Sequence, residues 1–115
     1  MYSRGPMTEQ ALFILASLSR GELHGYAIAR DVDELSQGRV RLTAGTLYGA
    51  LGRLAGDGLI TESREVVVEG RRRRYYRLTS AGQTMLADEA ARLRSTAAAI
   101  SRRSAAVRRQ KPRPA

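Results

Sequence analysis

Apolar residues near the start of the chain recur at helical spacing. Thr8 is a favourable N-cap residue, and the positions after it predict a first helix from about Thr8 to Ser19. The eight-residue apolar run 11–18 has the length of a signal-peptide core, but its periodicity favours a core-facing helix, and it is far too short for a membrane span. The positions on its apolar face are Ala11, Ile14, Leu15 and Leu18.

Two more helices are predicted before residue 60. The second lies near residues 24–36 and ends at Gly38, which suits a left-handed cap. The third begins after the N-cap Thr43 and ends at Gly56 and Gly58. Two short helices with a Gly-containing connection, preceded by another helix, fit a helix-turn-helix. Their apolar positions are Ile28, Val32 and Leu35 in the second helix and Leu47, Leu51 and Leu54 in the third.

The polar face of the third helix is small and free of acids. Thr46, Gly49, Ala50 and Arg53 are assigned to this face, and no acidic residue occurs between Arg39 and Arg53. Such a surface can approach a phosphate backbone closely, but small residues also allow packing against another helix. Periodicity alone leaves both interpretations open.

The apolar period changes after residue 59. The stretch 60–68 is rich in β-branched residues, residues 69–71 supply a turn, and residues 73–78 form the return strand of a β-hairpin. Arginines on an edge strand can serve to resist aggregation, but five within seven residues favour contact with phosphate or the minor groove. These are Arg71, Arg72, Arg73, Arg74 and Arg77, with Tyr75 and Tyr76 between them.

A heptad stripe follows the hairpin. The pattern predicts a helix from Ser80 to beyond Arg103, with Thr79 as its N-cap. This helix is longer than the small domain that precedes it can cover along one face. Its first turns are therefore expected to pack on the first helix, and the remainder on a second copy of the chain. The stripe consists of Leu86, Leu93, Ile100 and Val107 with Ala90, Ala97 and Ser104, and the predicted dimer interface is Leu86, Ala90, Leu93, Ala97 and Ile100.

Composition narrows the chemistry. The chain has 115 residues, no cysteine, no tryptophan and one histidine, which predicts a single modest core without disulfides, thiol chemistry or a multi-histidine metal site. The sequence shows no nucleophile with a base, no phosphate loop and no pair of catalytic carboxylates. We therefore predict neither enzyme activity nor a metal or cofactor.

The net charge of +9 is unevenly distributed. Residues 101–115 contain six basic residues and no acid, and the remaining excess is concentrated in residues 38–54 and 71–77. This placement indicates an anionic partner that contacts the third helix and the hairpin. An alternative is an interaction module whose basic tail binds RNA or an anionic membrane.

The order of three helices, a hairpin and a long helix is that of a winged-helix DNA-binding domain. From about residue 8 to residue 100, the chain resembles the PadR-like family of bacterial transcriptional regulators. The motifs that carry the resemblance are His24-Gly25-Tyr26; Gly45-Thr46-Leu47-Tyr48 followed by Leu51, Arg53-Leu54 and Gly58-Leu59-Ile60; and Arg74-Tyr75-Tyr76-Arg77-Leu78-Thr79 with Gly82.

The resemblance implies a homodimeric repressor of a double-stranded DNA operator. The third helix would enter the major groove, and the hairpin wing would touch the minor groove or the backbone. Tyr26 either contacts phosphate or packs its ring under the wing, and His24 is structural. The implied DNA-binding residues are Tyr26, Arg39, Arg41, Thr43, Gly45, Thr46, Tyr48, Gly49, Arg53, Arg71, Arg72, Arg73 and Arg74.

The chain departs from the family pattern in two ways. Gly49 stands where the family usually has proline, which is expected to loosen that turn of the third helix. The chain also lacks the paired tryptophans with which some members bind flat aromatic compounds, so a small-molecule effector is compatible with the resemblance but has little sequence behind it.

The predicted fold class is mainly α with a small β-hairpin, a winged helix-turn-helix domain plus a long C-terminal dimerisation helix. The predicted segments are a flexible leader at 1–7, the DNA-binding domain at 8–79, the dimerisation helix at 80–104 and a disordered basic tail at 105–115. The expected location is the bacterial cytoplasm, on the nucleoid, with no membrane partner.

Overall fold

The helices and the hairpin occur in the predicted order in the computed structural model, which describes residues 7–110. A third, very short strand joins the hairpin to make an antiparallel sheet with the order β1-β3-β2. The fold is therefore mainly α with a small sheet, as the sequence predicts. The elements are α1 (Glu9–Ser17) with a 3-10 turn (Leu18–Arg20), β1 (Leu23–His24), α2 (Gly25–Leu35), α3 (Ala44–Gly56), β2 (Ile60–Val68), β3 (Arg71–Leu78) and α4 (Ser80–Arg109).

Side-chain caps start the helices where the sequence places them. A threonine precedes α1, α3 and α4, and each hydroxyl accepts a hydrogen bond from the backbone N–H three residues later. These bonds run from Ala11 to Thr8 at 3.1 Å, from Thr46 to Thr43 at 3.2 Å and from Gly82 to Thr79 at 3.0 Å.

The connection between α2 and α3 turns through two left-handed residues. Gly38 has φ 79°, as predicted for the cap, and Gln37 precedes it with φ 55°. The Gly38 N–H donates to the carbonyl of Asp33 at 2.8 Å, and the N–H of Val40 donates to the Ser36 hydroxyl at 2.9 Å. These bonds satisfy the end of α2 and turn the chain toward α3.

The sheet corrects two details of the predicted hairpin. Glu69 and Gly70, with φ 51° and 75°, form a two-residue turn, so the return strand begins at Arg71 rather than Arg73. The strand β1 is an addition that no sequence pattern indicates, because two residues are too few to show alternation. In the sheet, Leu23 lies opposite Tyr76 and His24 opposite Tyr75.

The core lies between the first three helices and the inner face of the sheet. Of the apolar positions predicted for these helices, Ala11 is half-buried and Leu35 is 46% exposed. Ala50, predicted on the polar face of α3, is instead buried at 4% exposure because it lies one turn from both Leu47 and Leu54. The side chains that fill the core include Ile14, Leu15, Leu18, Ile28, Val32, Leu47, Leu51, Leu54 and Ile60.

The boundaries of two predicted segments move. Met7, predicted in the leader, packs against the core, and its backbone N–H donates to the Glu89 carboxylate at 3.4 Å. Residues 105–109, predicted in a disordered tail, continue α4, since Ala105 and Ala106 are strong helix formers and basic residues favour a helix C-terminus. The rest of the predicted leader (1–6) and of the tail (111–115) lies outside the described residues.

Glycine at position 82 allows α4 to begin against the turn that joins α3 to β2. A Cβ at Gly82 would lie 2.0 Å from the backbone carbonyl oxygen of Leu59. Thr79 reinforces this junction, because its N–H donates to the Leu59 carbonyl at 3.1 Å and its hydroxyl to the Gly58 carbonyl at 2.6 Å. Gly82 of the third sequence motif is therefore required for close packing.

Only the first turns of α4 are covered. Gly82 and Glu89 are buried, Met85 and Leu86 pack against the core, and every residue from 91 to 104 is exposed. The 30 residues of α4 span about 45 Å, and they account for much of the longest dimension of the structure, 71 Å. In the described range, 7–110, the chain forms no helix long and apolar enough to span a membrane.

Candidate nucleic-acid interface

The solvent-facing side of α3 carries the predicted contact residues. Its opposite side is buried in the core, so the helix is fixed with one face open. Within residues 7–110, a Cβ added at Gly45 would meet no neighbour within 4 Å, and one at Gly49 would meet only an Arg53 guanidinium nitrogen at 3.5 Å. The helix runs unbroken through Gly49 to Gly56, so the absence of proline does not interrupt it. The exposed residues of this segment are Thr43, Gly45, Thr46, Tyr48, Gly49 and Arg53.

A groove of about 340 Å³ separates the wing, residues 60–78, from the start of α2 and the middle of α3. The groove brings together residues that are far apart in the sequence and belong to all three motifs. Four of its lining residues are arginines, so a polyanion entering it would meet a positive surface. The lining residues are His24, Gly25, Tyr26, Tyr48, Arg71, Arg72, Arg73 and Arg74.

Tyr48 links α3 to the start of α2. Its hydroxyl lies over Gly25, where an added Cβ would be only 2.7 Å from the hydroxyl oxygen. The glycine of the His-Gly-Tyr motif therefore leaves space for the Tyr48 ring, a role that the motif alone does not indicate. Tyr48 remains 53% exposed and also lines the groove.

Tyr26 points into solvent. It is 69% exposed, so its ring is not packed under the wing, which removes one of the two interpretations offered by the sequence. The guanidinium carbon of Arg30 lies 6.0 Å from the centroid of the Tyr26 ring. Arg30 is not among the predicted site residues, although the i, i+4 spacing on α2 would have indicated this contact.

His24 has a structural role, as expected from the sequence. Its Nδ1 accepts a hydrogen bond from the N–H of Ala27 at 3.3 Å and so caps α2. The His24 ring also meets the Tyr75 ring edge-on, with centroids 5.4 Å apart. Burial and the nearby Arg73 guanidinium lower the pKa of His24 below its ordinary value, which favours the neutral ring that the cap requires.

The wing arginines are not equivalent. Arg72 Nε lies 3.3 Å from a Glu65 carboxylate oxygen, and Arg74 Nε lies 3.7 Å from one of Glu62. Arg71 and Arg73 form no ion pair within residues 7–110. Strand alternation puts Arg72 and Arg74 on the face that carries Tyr76 and Leu78, and Arg71 and Arg73 on the other face. Glutamates therefore partly neutralise the arginines on the first of these faces, whereas Arg71 and Arg73 on the other face have no such partner within residues 7–110.

Arg39 and Arg41 lie away from the groove lining. Arg39 is paired with Glu9, which raises the pKa of Arg39 above its ordinary value, and its guanidinium carbon lies 5.9 Å from the Phe13 ring centroid. Arg41 Nε lies 3.8 Å from an Asp33 carboxylate oxygen. Both arginines thus connect the segment before α3 to α1 and α2, and the structure does not bring them together with the wing.

A contact that the sequence did not reveal lies at the base of the wing. The Glu22 carboxylate accepts hydrogen bonds from the Ser63 hydroxyl and from Arg64 Nε, each at 2.5 Å. The guanidinium carbon of Arg64 lies 4.3 Å from the Tyr75 ring centroid. Glu22 and Ser63 are 41 residues apart, and no periodicity or motif connects them.

Comparisons with known proteins agree with this architecture. Residues 14–88 match the model of the transcriptional regulator PadR-like family. Transcriptional regulator Rv3488 of Mycobacterium tuberculosis (strain ATCC 25618 / H37Rv) is 42% identical over 78 residues, which cover 68% of this chain and 69% of that protein.

Solved structures show the same fold. A PadR family transcription regulator from hypervirulent Clostridium difficile R20291 is 26% identical, with a TM-score of 0.71, over 83% of this chain and 97% of that one. Bacillus subtilis PadR in complex with operator DNA is 29% identical, with a TM-score of 0.60, over 68% of this chain and 44% of that one. Since the family model spans more than half of the residues, the chain belongs to the PadR-like family of transcriptional regulators.

Proposed function

We propose that the protein is a homodimeric, sequence-specific DNA-binding repressor that works on the bacterial nucleoid. In this proposal α3 enters the major groove of the operator and the wing lies on the adjacent minor groove or backbone. The observation that carries it is the acid-free, exposed face of α3 beside a groove lined by four wing arginines. The operator complex of Bacillus subtilis PadR supports it by similarity.

The residues of α3 suit two kinds of contact. Its first turn presents small, exposed residues, Gly45 and Thr46, at the positive end of the helix, an arrangement that lets a phosphate approach closely. Tyr48 and Arg53 have donors that reach further, and the arginine fork can pair with a guanine edge. The first set positions the protein on the duplex, and the second set gives sequence preference.

Homodimer formation is supported by the course of one face of α4. Gly82 and Leu86 pack against the rest of the chain. Leu93 and Ile100 follow Leu86 at heptad spacing and so lie on the same face of α4. In the isolated protomer Leu93 is 47% exposed, Ile100 63% and Val107 64%. A second copy of the chain would cover this apolar extension, and its two-fold symmetry would match a palindromic operator.

Selection of bound duplexes from a random pool tests the proposal. We expect a roughly palindromic site that, at physiological salt, binds at least about 1,000-fold more tightly than a scrambled duplex. The Tyr48→Phe and Arg53→Ala variants should change the selected sequence, because in this proposal both side chains contact the bases. Equal affinity for selected and scrambled duplexes would contradict the proposal.

A second candidate function rests on the basic end of the chain. Arg102, Arg103, Arg108 and Arg109 are exposed on α4 and have no ion-pair partner in the part of the chain that the structure describes. They could bind RNA or an anionic membrane without a winged helix. Deleting residues 101–115 separates the two functions: retained operator preference supports the repressor, and loss of all nucleic-acid binding supports the tail.

A further inference from the structure

We propose that Glu22 is a positioning residue of the DNA interface, because its carboxylate fixes the base of the wing and thereby places Arg71 and Arg73 relative to α3. The inference rests on the proposed function. It assigns a role to a residue that makes none of the predicted DNA contacts, and three features of the sheet support it.

The first feature is a bulge in β2. Glu62 lies opposite Tyr76, whereas Arg64 lies opposite Tyr75, so Ser63 has no partner of its own in β3. A bulge bends the strand and increases its twist, so it is a point at which a hairpin can change direction. The Ser63 hydroxyl donates to Glu22, which therefore holds the wing at its irregular point.

The second feature is the order of the strands. Because β3 lies between β1 and β2, a contact from the segment before β1 to β2 has to cross β3. Glu22 makes this crossing to Ser63 and Arg64, while the next two residues of its segment pair with β3 through the backbone. The segment 22–24 thus contacts both strands of the wing at neighbouring positions, β2 at residues 63–64 and β3 at residues 75–76.

Charge reinforces the contact. The hydrogen bond from Ser63 and the Arg64 guanidinium hold the pKa of Glu22 below its ordinary value, and Arg77 acts in the same direction. The carboxylate is therefore ionised at neutral pH. Arg64 in turn covers the Tyr75 ring, whose edge meets His24 at the start of α2. The wing base is connected in this way to the helix-turn-helix.

The third feature is the distance from the Glu22 contact at the base of the wing to Arg71 at the start of β3. Arg71 lies four positions before Tyr75 in β3, or about 13 Å away at the usual rise per residue. A tilt of roughly 10° at the bulge would then move the backbone at Arg71 by roughly 2 Å. Such a shift is large compared with the tolerance of a hydrogen bond to phosphate.

The test first examines the free protein. We expect Glu22→Ala to accelerate amide hydrogen exchange in residues 65–74 at least several-fold, and Glu22→Gln, which keeps one acceptor oxygen, to have a smaller effect. The matched control is Glu34→Ala. Glu34 lines the same 280 Å³ cavity as Glu22, but its carboxylate has no hydrogen bond or ion pair in the described residues. Unchanged exchange in Glu22→Ala would overturn the proposal.

A double-variant cycle then tests the connection with DNA. Glu22→Ala should weaken binding to the selected operator several-fold, and this loss should disappear in a background that carries Arg71→Ala and Arg73→Ala. An equal loss in both backgrounds would overturn the proposal, because Glu22 would then act through something other than the wing arginines. If the unmodified protein shows no operator preference, the proposed function fails, while the exchange experiment still decides whether Glu22 fixes the wing.

Discussion

Single residues with tight surroundings determine how the elements join, and Gly82 shows this most directly. Its nearest neighbour is a backbone carbonyl oxygen, that of Leu59, which cannot rotate away from an added methyl group. We expect Gly82→Ala to lower the free energy of unfolding by about 1–3 kcal/mol, the usual range for overpacking. Urea denaturation measures the change.

The control for this variant is Gly52→Ala. Gly52 is exposed within α3, and a Cβ there would meet no neighbour within 4 Å among the residues that the structure describes. Because alanine is the better helix former, this substitution should raise the free energy of unfolding by about 0.5–1 kcal/mol. Changes of the same sign in the two variants would contradict the packing role of Gly82.

His24 should make stability depend on pH. Its pKa is depressed in the folded protein, so the folded state binds the proton more weakly than the unfolded state does. The stabilisation is complete above the ordinary value of 6.5 and is lost as the pH falls through the lowered pKa. Thermal unfolding between about pH 7.5 and pH 5 should therefore show a falling midpoint.

The variant His24→Asn isolates this effect. Asparagine is a good N-cap without a titrating group, so the midpoint of the variant should fall less over the same pH range. The slopes are compared rather than the absolute midpoints, because the substitution also removes the ring that meets Tyr75. Parallel profiles would show that His24 does not cause the pH dependence.

At the scale of the elements, the wing is a hairpin with two differently compensated faces. Arg71 and Arg73 have no ion-pair partner within residues 7–110, whereas Arg72 and Arg74 neutralise Glu65 and Glu62. The double variant Arg71→Ala/Arg73→Ala should weaken operator binding and reduce the slope of log affinity against log salt by about 2, because each arginine is expected to neutralise one phosphate.

The matched variant is Arg72→Ala/Arg74→Ala, which removes the same charge from the other face. Its salt slope should change less, because each of these arginines would have to share its guanidinium with a glutamate. Affinity measured over a series of salt concentrations gives both slopes. Equal slopes would show that the ion pairs do not matter to DNA binding.

The helices were predictable and the short strand was not. Caps and periodicity are local, so Thr8, Thr43 and Thr79 mark helix starts that the structure confirms. β1 forms only because Leu23 and His24 meet β3 more than fifty residues later. The predicted dimerisation helix ends at residue 104, whereas α4 continues to Arg109, because Ala105 and Ala106 are strong helix formers and basic residues favour a helix C-terminus.

At the scale of the whole molecule, α4 extends beyond the body with an uncovered apolar face. Ile100 is exposed in the protomer, so Ile100→Glu should leave the fold intact while breaking the proposed dimer. Ala98→Glu adds the same charge on the opposite side of the helix and should leave the dimer intact. Sedimentation equilibrium measures the mass of each, and identical masses for the two variants would contradict the α4 interface.

The division between local and long-range information explains which predictions succeeded. Helix periods, caps and the three motifs depend on residues a few positions apart, and they were sufficient for the fold class and for membership of the PadR-like family. Other features depend on residues that only folding brings together: which wing arginines have an ion-pair partner within residues 7–110, the space that Gly25 leaves for Tyr48, and the hydrogen bond that Ser63 donates to Glu22. Counting charges in the sequence could not identify the unpaired arginines. An arginine that pairs with a glutamate on the neighbouring strand contributes to the net charge in the same way as one that does not.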